Sequence, residues 1–385
     1  MAENDSPVSR DDPPRWVVVG NGANRRVRMF ADAARAAGLP RPRVVEWCAV
    51  LSGAGQDFAP DELVRLDSPG EDPVVDEMLC GVKEPAQVEG SARWYSAWLR
   101  AVRSLRGGIR LDDPDDLAAL FDKRLCHARL AARGVPVPDS PTSGAGIAVR
   151  DWSEVRARLR AAGLPRAFVK LAHGSSASGV LAVETTASGR VQATTSVELT
   201  SDGRLYNSLR VRKYTDEREI AAIVDRLAPD GLHIERWLPK AALRGRSADL
   251  RVVVVAGRAT HAVVRTARTP LTNLHLGGAR GDLDEVRTRA GNRWARALSI
   301  CEQAAACFPE TLCVGVDLLP AIGWRRFVVG EVNAFGDLLP GLTGLPEGPA
   351  AGLDTYTAQI LAAHRRYGLD VPPARELVSA GRHLR

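Results

Sequence analysis

Residues 313–333 read CVGVDLLPAIGWRRFVVGEVN, two apolar strand patterns around a tight turn at Ile322 to Trp324. This is the signature of a β-hairpin. Asp317 and Glu331 are equidistant from Trp324, so a regular register sets them directly opposite each other, and Asn333, two residues on, shares their face. Carboxylates held about 5 Å apart repel unless a proton or a cation comes between them. Two carboxylates and an amide suit Mg²⁺, which takes few protein ligands and completes its shell with water and phosphate oxygens. The plainer reading of the same spacing is a solvated hairpin face.

Outward from the hairpin, Asp249 to Ala256 and Ala259 to Ala267 have strand patterns, followed by a polar glycine loop near 273–281 and a helix over 283–307. Further upstream, AFVK (Ala167 to Lys170) opens a strand, GSSASG (Gly174 to Gly179) is a turn, and Val180 to Glu184 returns, which starts a small antiparallel unit over 167–238. The small residues of that turn leave backbone N–H groups able to approach phosphate oxygens, although a hairpin turn has the same composition. The pattern is not GxxxxGK[ST], so a nucleotide here would lie across a hairpin. His173 reads as a polar loop residue. Asp122 to Gly134 is a helix closed by glycine, and VPVP after it enforces an extended connection.

At the N-terminal end, WVVVG (Trp16 to Gly20), a turn, a helix from Arg26 to Gly38 and a strand at Arg43 to Trp47 suggest a parallel sheet with ligands at its carboxyl ends. NGANRR is not GxGxxG, so no dinucleotide site is expected. RLDSPGE (Arg65 to Glu71) reads either as a pocket edge or as a surface turn. The last helix, around Thr355 to Tyr367, is expected to pack on the outside.

Composition narrows the function classes. The chain has 385 residues, 45% hydrophobic and 25% charged, which fits two or three packed units of an ordinary globular protein. No apolar run approaches the roughly 20 residues of a membrane helix. The first 14 residues are acidic and proline-bearing, unlike a signal peptide, so a cytoplasmic protein is expected. Six cysteines form no CxxC pair and read as reduced, mostly buried thiols. A net charge of +6 is spread along the chain, which makes nucleic acid an unexpected partner. Of 52 basic residues only five are lysine: Lys83, Lys123, Lys170, Lys213 and Lys240. Against an arginine background, a lysine marks a place where a compact ammonium is useful.

In order along residues 111–345, FDKRLCHARLAARGVPVP, FVKLAHGSSASGV, HIERWLPKA, DLRVVVVAGRATHAVVRTA, NLHLGGARG, VGVDLLP and VVGEVNAFGDLLPG resemble the ATP-grasp proteins. The likeness is greatest to the ligases that add glutamate to a ribosomal protein tail and to glutathione synthetase, with details of a little-characterised bacterial subgroup. The resemblance implies an α/β and α+β chain in which two lobes grip ATP behind a Rossmann-like pre-ATP-grasp domain. The expected divisions are a disordered tail over 1–14, the α/β domain over 15–110, a linker helix and first lobe over 111–238, a second lobe over 239–345, and a C-terminal helix and tail over 346–385.

Residue by residue, the resemblance implies that Lys123 and Lys170 touch the ATP phosphates under a loop containing Ser175, Ser176 and Gly179. Glu235, Arg236, Trp237 and Leu238 would meet adenine by backbone hydrogen bonds and apolar packing, and Asp249 would approach the ribose. Arg251 and Arg265 would hold the γ-phosphate and an acyl phosphate, and Asn273 would belong to a closing loop. Asp317, Glu331 and Asn333 would bind two Mg²⁺ ions, for which Mn²⁺ can substitute.

The implied activity is ATP-dependent joining of a small-molecule or peptide carboxylate to an amine, in a homodimer or homotetramer. Three departures stand out: Leu171 in place of proline, Leu271 and Leu276 in place of arginines, and a long segment from Trp237 to Asp249 carrying Lys240, Arg244 and Arg246. The two leucines motivate a rival reading, phosphoryl transfer to a hydroxyl. A non-catalytic ATP-binding module is a further alternative.

Overall fold

The computed structural model describes residues 15–81, 86–144, 146–174, 178–337 and 339–370. Ser175, Ser176, Lys83 and the expected tail over 1–14 lie outside the described residues. β1 (Arg15–Gly20), β2 (Arg43–Glu46), β3 (Asp57–Leu66) and β4 (Arg106–Arg110) form a parallel sheet in the order β2-β1-β3-β4. The valine run of β1 is buried on both faces, as strands of parallel sheets are. Asn24 then caps the helix Arg25–Ala36 by accepting from the Arg26 amide at 2.9 Å.

Two antiparallel sheets follow. β5 (Arg166–Leu171), β6 (Leu181–Thr185), β7 (Val191–Leu199), β8 (Leu205–Tyr214) and β9 (Leu232–Arg236) pair as β8-β7-β6-β5-β9. The helix Glu217–Leu227 covers this sheet through Ile220, Ile223, Val224 and Leu227. β10 (Ala242–Leu243), β11 (Arg246–Val255), β12 (Arg258–Ala267), β13 (Ala279–Arg280), β14 (Cys313–Pro320) and β15 (Phe327–Ala334) make the other sheet, in the order β13-β12-β11-β14-β15 with β10 beside β11. The single helix expected over 283–307 is two, Leu283–Ala290 and Trp294–Ala305, because Gly291 at φ +55° ends the first.

The final helix, Thr355–Arg366, corrects the sequence reading. Instead of lying outside, it is buried from Thr355 to His364, between the helix Arg25–Ala36 and β11–β12. The stretch TYTAQILAAH is small or apolar on most faces, so it can be enclosed. Tyr356 meets Phe30 edge-on at 6.0 Å between centroids. Arg65 stacks over both rings and pairs with Asp67 at 2.7 Å, so RLDSPGE starts as an interior ion pair rather than a pocket edge. Among the described residues, no helix is long and apolar enough to cross a membrane.

Beside this pair, burial pushes the Asp112 carboxyl up to about 7, against the pull of Arg65 and the Leu66 amide. The folded chain therefore keeps a proton that the unfolded chain loses near 3.8. Stability should fall as pH rises from about 4 to about 7, by at most about 1.4 kcal/mol per pH unit. Urea unfolding at pH 5 and pH 8 should show that slope in the wild type and a flatter one in Asp112→Asn. Equal slopes would assign the effect elsewhere.

Candidate active site

β11 carries Asp249 and Arg251 two residues apart, hence on one face. Across the ladders Asp249 faces Arg265, Arg251 faces Asp317, Asp317 faces Glu331, and Gly315 faces Asn333. The Asp317–Glu331 pairing expected from the sequence is present, but a regular register does not produce it. The turn pairs Pro320 with Phe327, and an unbroken ladder from there would set Gly330 opposite Asp317. A bulge at Gly330 adds one residue and brings Glu331 into place. A Cβ at Gly330 would lie 2.9 Å from Leu319 Cδ1, which favours glycine in the bulge.

Asp317 receives two guanidinium groups, Arg251 Nε at 2.5 Å and Arg265 Nη2 at 3.0 Å. Burial acts to raise its pKa, but the two arginines outweigh burial and hold the carboxyl far below the usual range. Arg265 also donates to Asp249 at 2.8 Å, and against burial Asp317 first and Asp249 second raise its own pKa. On the other side, Arg251 Nη1 is 3.1 Å from Asp337, whose second oxygen lies 3.8 Å from Arg26. This joins the second lobe to the parallel-sheet domain.

Lys123 opens the helix Lys123–Ala132, which Asp122 caps and which packs against β15 through Cys126 and Leu130. Its Nζ donates to Glu331 and to the Gly174 carbonyl, both at 2.7 Å. Lys170 of β5 forms a buried ion pair with Glu235 of β9, and His233 Nε2 is 3.5 Å from the same carboxylate. Burial opposes ionisation of Glu235, yet Lys170 and His233 bring its pKa down to about 2.

These groups surround a cavity of about 170 Å³. Lys123, Lys170, Glu235, Leu238, Asp249, Arg251, Arg265, Asn273, Asp317, Glu331 and Asn333, all singled out in the sequence, line it. Arg236 does not; its guanidinium and amide both bond to Asp139, each at 2.8 Å. Trp237 packs on Phe168 at 5.5 Å instead. Gly179 sits over Leu171 at φ +65°. Asp249, which lines the cavity, is engaged there by Arg265, Lys240 and Thr272.

Sequence reasoning assigned no role to Lys240, Thr272 or Asp337. For Lys240 the scarcity of lysine was a usable signal; for the other two there was none. Leu271 and Leu276 are buried against Val180, Phe168 and Val211 of the first lobe. Among the described residues no group of three or more His, Cys, Asp or Glu side chains suits a metal. The oxygen donors that the cavity offers a metal are the Asp317 and Glu331 carboxylates and the Asn333 amide. They fit Mg²⁺ if phosphate and water oxygens supply the remaining ligands.

No protein-family profile matches the sequence, and no curated protein matches it significantly. Among solved structures, D-cycloserine synthetase DcsG superposes with a TM-score of 0.53 at 17% identity, over 91% of this chain and 99% of that one. The chain has the ATP-grasp fold. The ATP-grasp ligase PsnB complexed with minimal precursor follows, with a TM-score of 0.48 at 19% identity over 90% and 97% of the two chains. D-alanine–D-alanine ligase from Bacillus anthracis complexed with ATP gives 0.42 at 13% identity over 86% and 90%. At these identities the likeness is one of fold. In ATP-grasp terms, the β5–β9 and β10–β15 sheets are the two lobes, and the cavity lies in the grip between them.

The buried Lys170–Glu235 pair generates a stability prediction. Glu235→Gln leaves an unpaired ammonium and should cost about 3 kcal/mol at pH 7. Because the native carboxyl ionises near 2 rather than 4.5, the stabilisation is complete above about 4.5 and is lost as pH falls toward 2. The gap between wild type and variant in urea unfolding should therefore narrow across that interval; a constant gap would mean that charge is not its source.

Proposed function

We propose that this protein is an ATP-dependent ligase that joins a carboxylate to an amine through an acyl phosphate, in the manner of the glutamate-ligase and glutathione-synthetase group. The observation that carries this reading is the cavity wall, where Lys123, Lys170, Arg251 and Arg265 converge on one space with Asp317, Glu331 and Asn333. No cysteine or histidine lines that space among the described residues. The nearby Cys126 thiol is pushed by burial up to about 12 and is inert as a nucleophile. A site of fixed cations suits phosphoryl transfer, which depends on positioning and charge stabilisation.

In this reading Phe168, Leu238 and Leu319 provide the apolar bed for adenine, while Lys123 and Lys170 take the phosphates. The substrate carboxylate attacks the γ-phosphorus and ADP departs. The amine then attacks the acyl carbon, phosphate leaves, and the amine gives up a proton. Arg251 and Arg265 offer guanidinium forks to the transferred phosphoryl group in both steps. Asp317, Glu331 and Asn333 would hold Mg²⁺, which when bound neutralises phosphate charge. Asn273 and its loop help to keep water from the acyl phosphate.

The kinase reading rested on Leu271 and Leu276; both pack against Val180, and Leu271 also lines the cavity. A hydroxyl acceptor is the second reading, and a trap for the acyl phosphate separates the two.

The test is a hydroxylamine trap with MgATP and fractionated bacterial metabolites, read by mass spectrometry. The wild type should form a hydroxamate, and Glu331→Gln and Lys170→Met should lower its rate at least about a hundredfold. ADP with a stable phosphorylated product and no hydroxamate would replace the ligase with a kinase. An unchanged rate in Glu331→Gln would remove the metal assignment.

A further inference from the structure

Among the described residues the lysines that line the cavity are Lys123, Lys170 and Lys240, and Lys240 is the one to which the proposed chemistry gives no task. Its backbone is held at the edge of the β14 turn: Lys240 bridges to Ala321, and the Ala241 amide donates to the Pro320 carbonyl at 2.8 Å. From this base the buried ammonium makes three bonds, to Thr272 Oγ1 at 2.6 Å, the Pro270 carbonyl at 3.2 Å and Asp249 Oδ2 at 3.3 Å. Those bonds use every donor an ammonium has. Lys240 is thus arranged to hold protein groups, and a compact charge serves there where a guanidinium fork would not fit three converging acceptors.

The groups it holds belong to one loop. Pro270 and Thr272 turn toward the second lobe and Lys240, whereas Leu271, between them in sequence, turns toward the first lobe and packs with Leu276 on Val180, Phe168 and Val211. The loop thereby lines the cavity, tied on one side by polar bonds and on the other by apolar contact. Asn273 is the next residue, and its carbonyl accepts from the Leu276 and Gly278 amides at 3.1 and 3.2 Å. The same Asp249 that Lys240 grips also orients Arg265.

We propose that Lys240 is a positioning residue that straps the Pro270–Gly278 loop across the two lobes and, through Asp249, sets Arg265. The role deepens the ligase reading and rests on it only for the catalytic consequence. Loss of the strap leaves the nucleotide site assembled but open to water, so ATP is consumed without product.

Hydrogen exchange of loop amides in the MgADP-bound protein tests the strap without any turnover. Wild type and Thr272→Ser, which keeps the hydroxyl, should protect the loop equally. Lys240→Met, Lys240→Arg and Thr272→Val should exchange there at least about tenfold faster, with the helix Trp294–Ala305 unchanged. With substrates, the same three variants should release several-fold more ADP per product formed while KM for ATP changes little. Wild-type loop protection in both Lys240→Met and Thr272→Val would overturn the proposal. If the wild type forms no hydroxamate but the loop pattern holds, the ligase reading fails and the strap stands.

Discussion

Arg265 lies between Asp249 and Asp317, and Arg251 lies between Asp317 and Asp337. Strand register sets two of these contacts directly, Asp249 facing Arg265 and Arg251 facing Asp317; Arg265 reaches Asp317 across β11, and Asp337 follows the end of β15. Charges this deep are costly when unpaired and nearly neutral when matched, so the register must hold to the residue. A slip of one would turn the whole set to the opposite face. What prevents the slip is the alternate set of side chains: Leu250, Val252, Val264, Val316 and Leu318 pack below, against Ala297, Ile300 and Ala304 of the helix Trp294–Ala305. The apolar face thus specifies the geometry of the polar one.

The upper face of the same sheet is divided. Asp249 and Arg251 open to the cavity, while Val253 and Val255, further along β11, lie under Tyr356 and Ile360 of the helix Thr355–Arg366. This is why β11 reads as a nearly continuous apolar run from Leu250 onward, and why that helix is enclosed on all sides. It fills the space between the second lobe and the parallel sheet. Asp337 continues the junction beside the cavity by joining Arg251 to Arg26.

Cations and carboxylates in the cavity are matched in place: Lys123 with Glu331, Lys170 with Glu235, and the arginines with Asp317. A polyphosphate entering the cavity competes with these carboxylates for the cations, and a divalent ion competes with the cations for the carboxylates. Either ligand alone leaves charges of one sign without partners. Under the proposed function the two together exchange the Lys123–Glu331 and arginine–Asp317 pairs, while Glu235, outside the proposed metal set, keeps His233 beside it. Under the proposed function, the arrangement would suit a metal–nucleotide complex better than either component, by the ordinary energetics of buried charge.

Much of this was legible in the sequence because it is local. The hairpin around Ile322, the helix that ends at Gly134, and the choice of lysine at positions 123, 170 and 240 follow from turn chemistry, the helix-stopping glycine and the rarity of lysine in this chain. The facing of Asp317 and Glu331 was also legible, although it is reached through a bulge at Gly330 that spacing alone could not reveal. The tertiary structure decided what depends on distant partners: that Glu235 turns to Lys170, that Asp249 is engaged by three donors, that Leu271 and Leu276 join two lobes, and that the last helix is interior. A sequence displays periodicity within an element, but a buried charge or an apolar face finds its partner from another element, and only the packed chain selects which one.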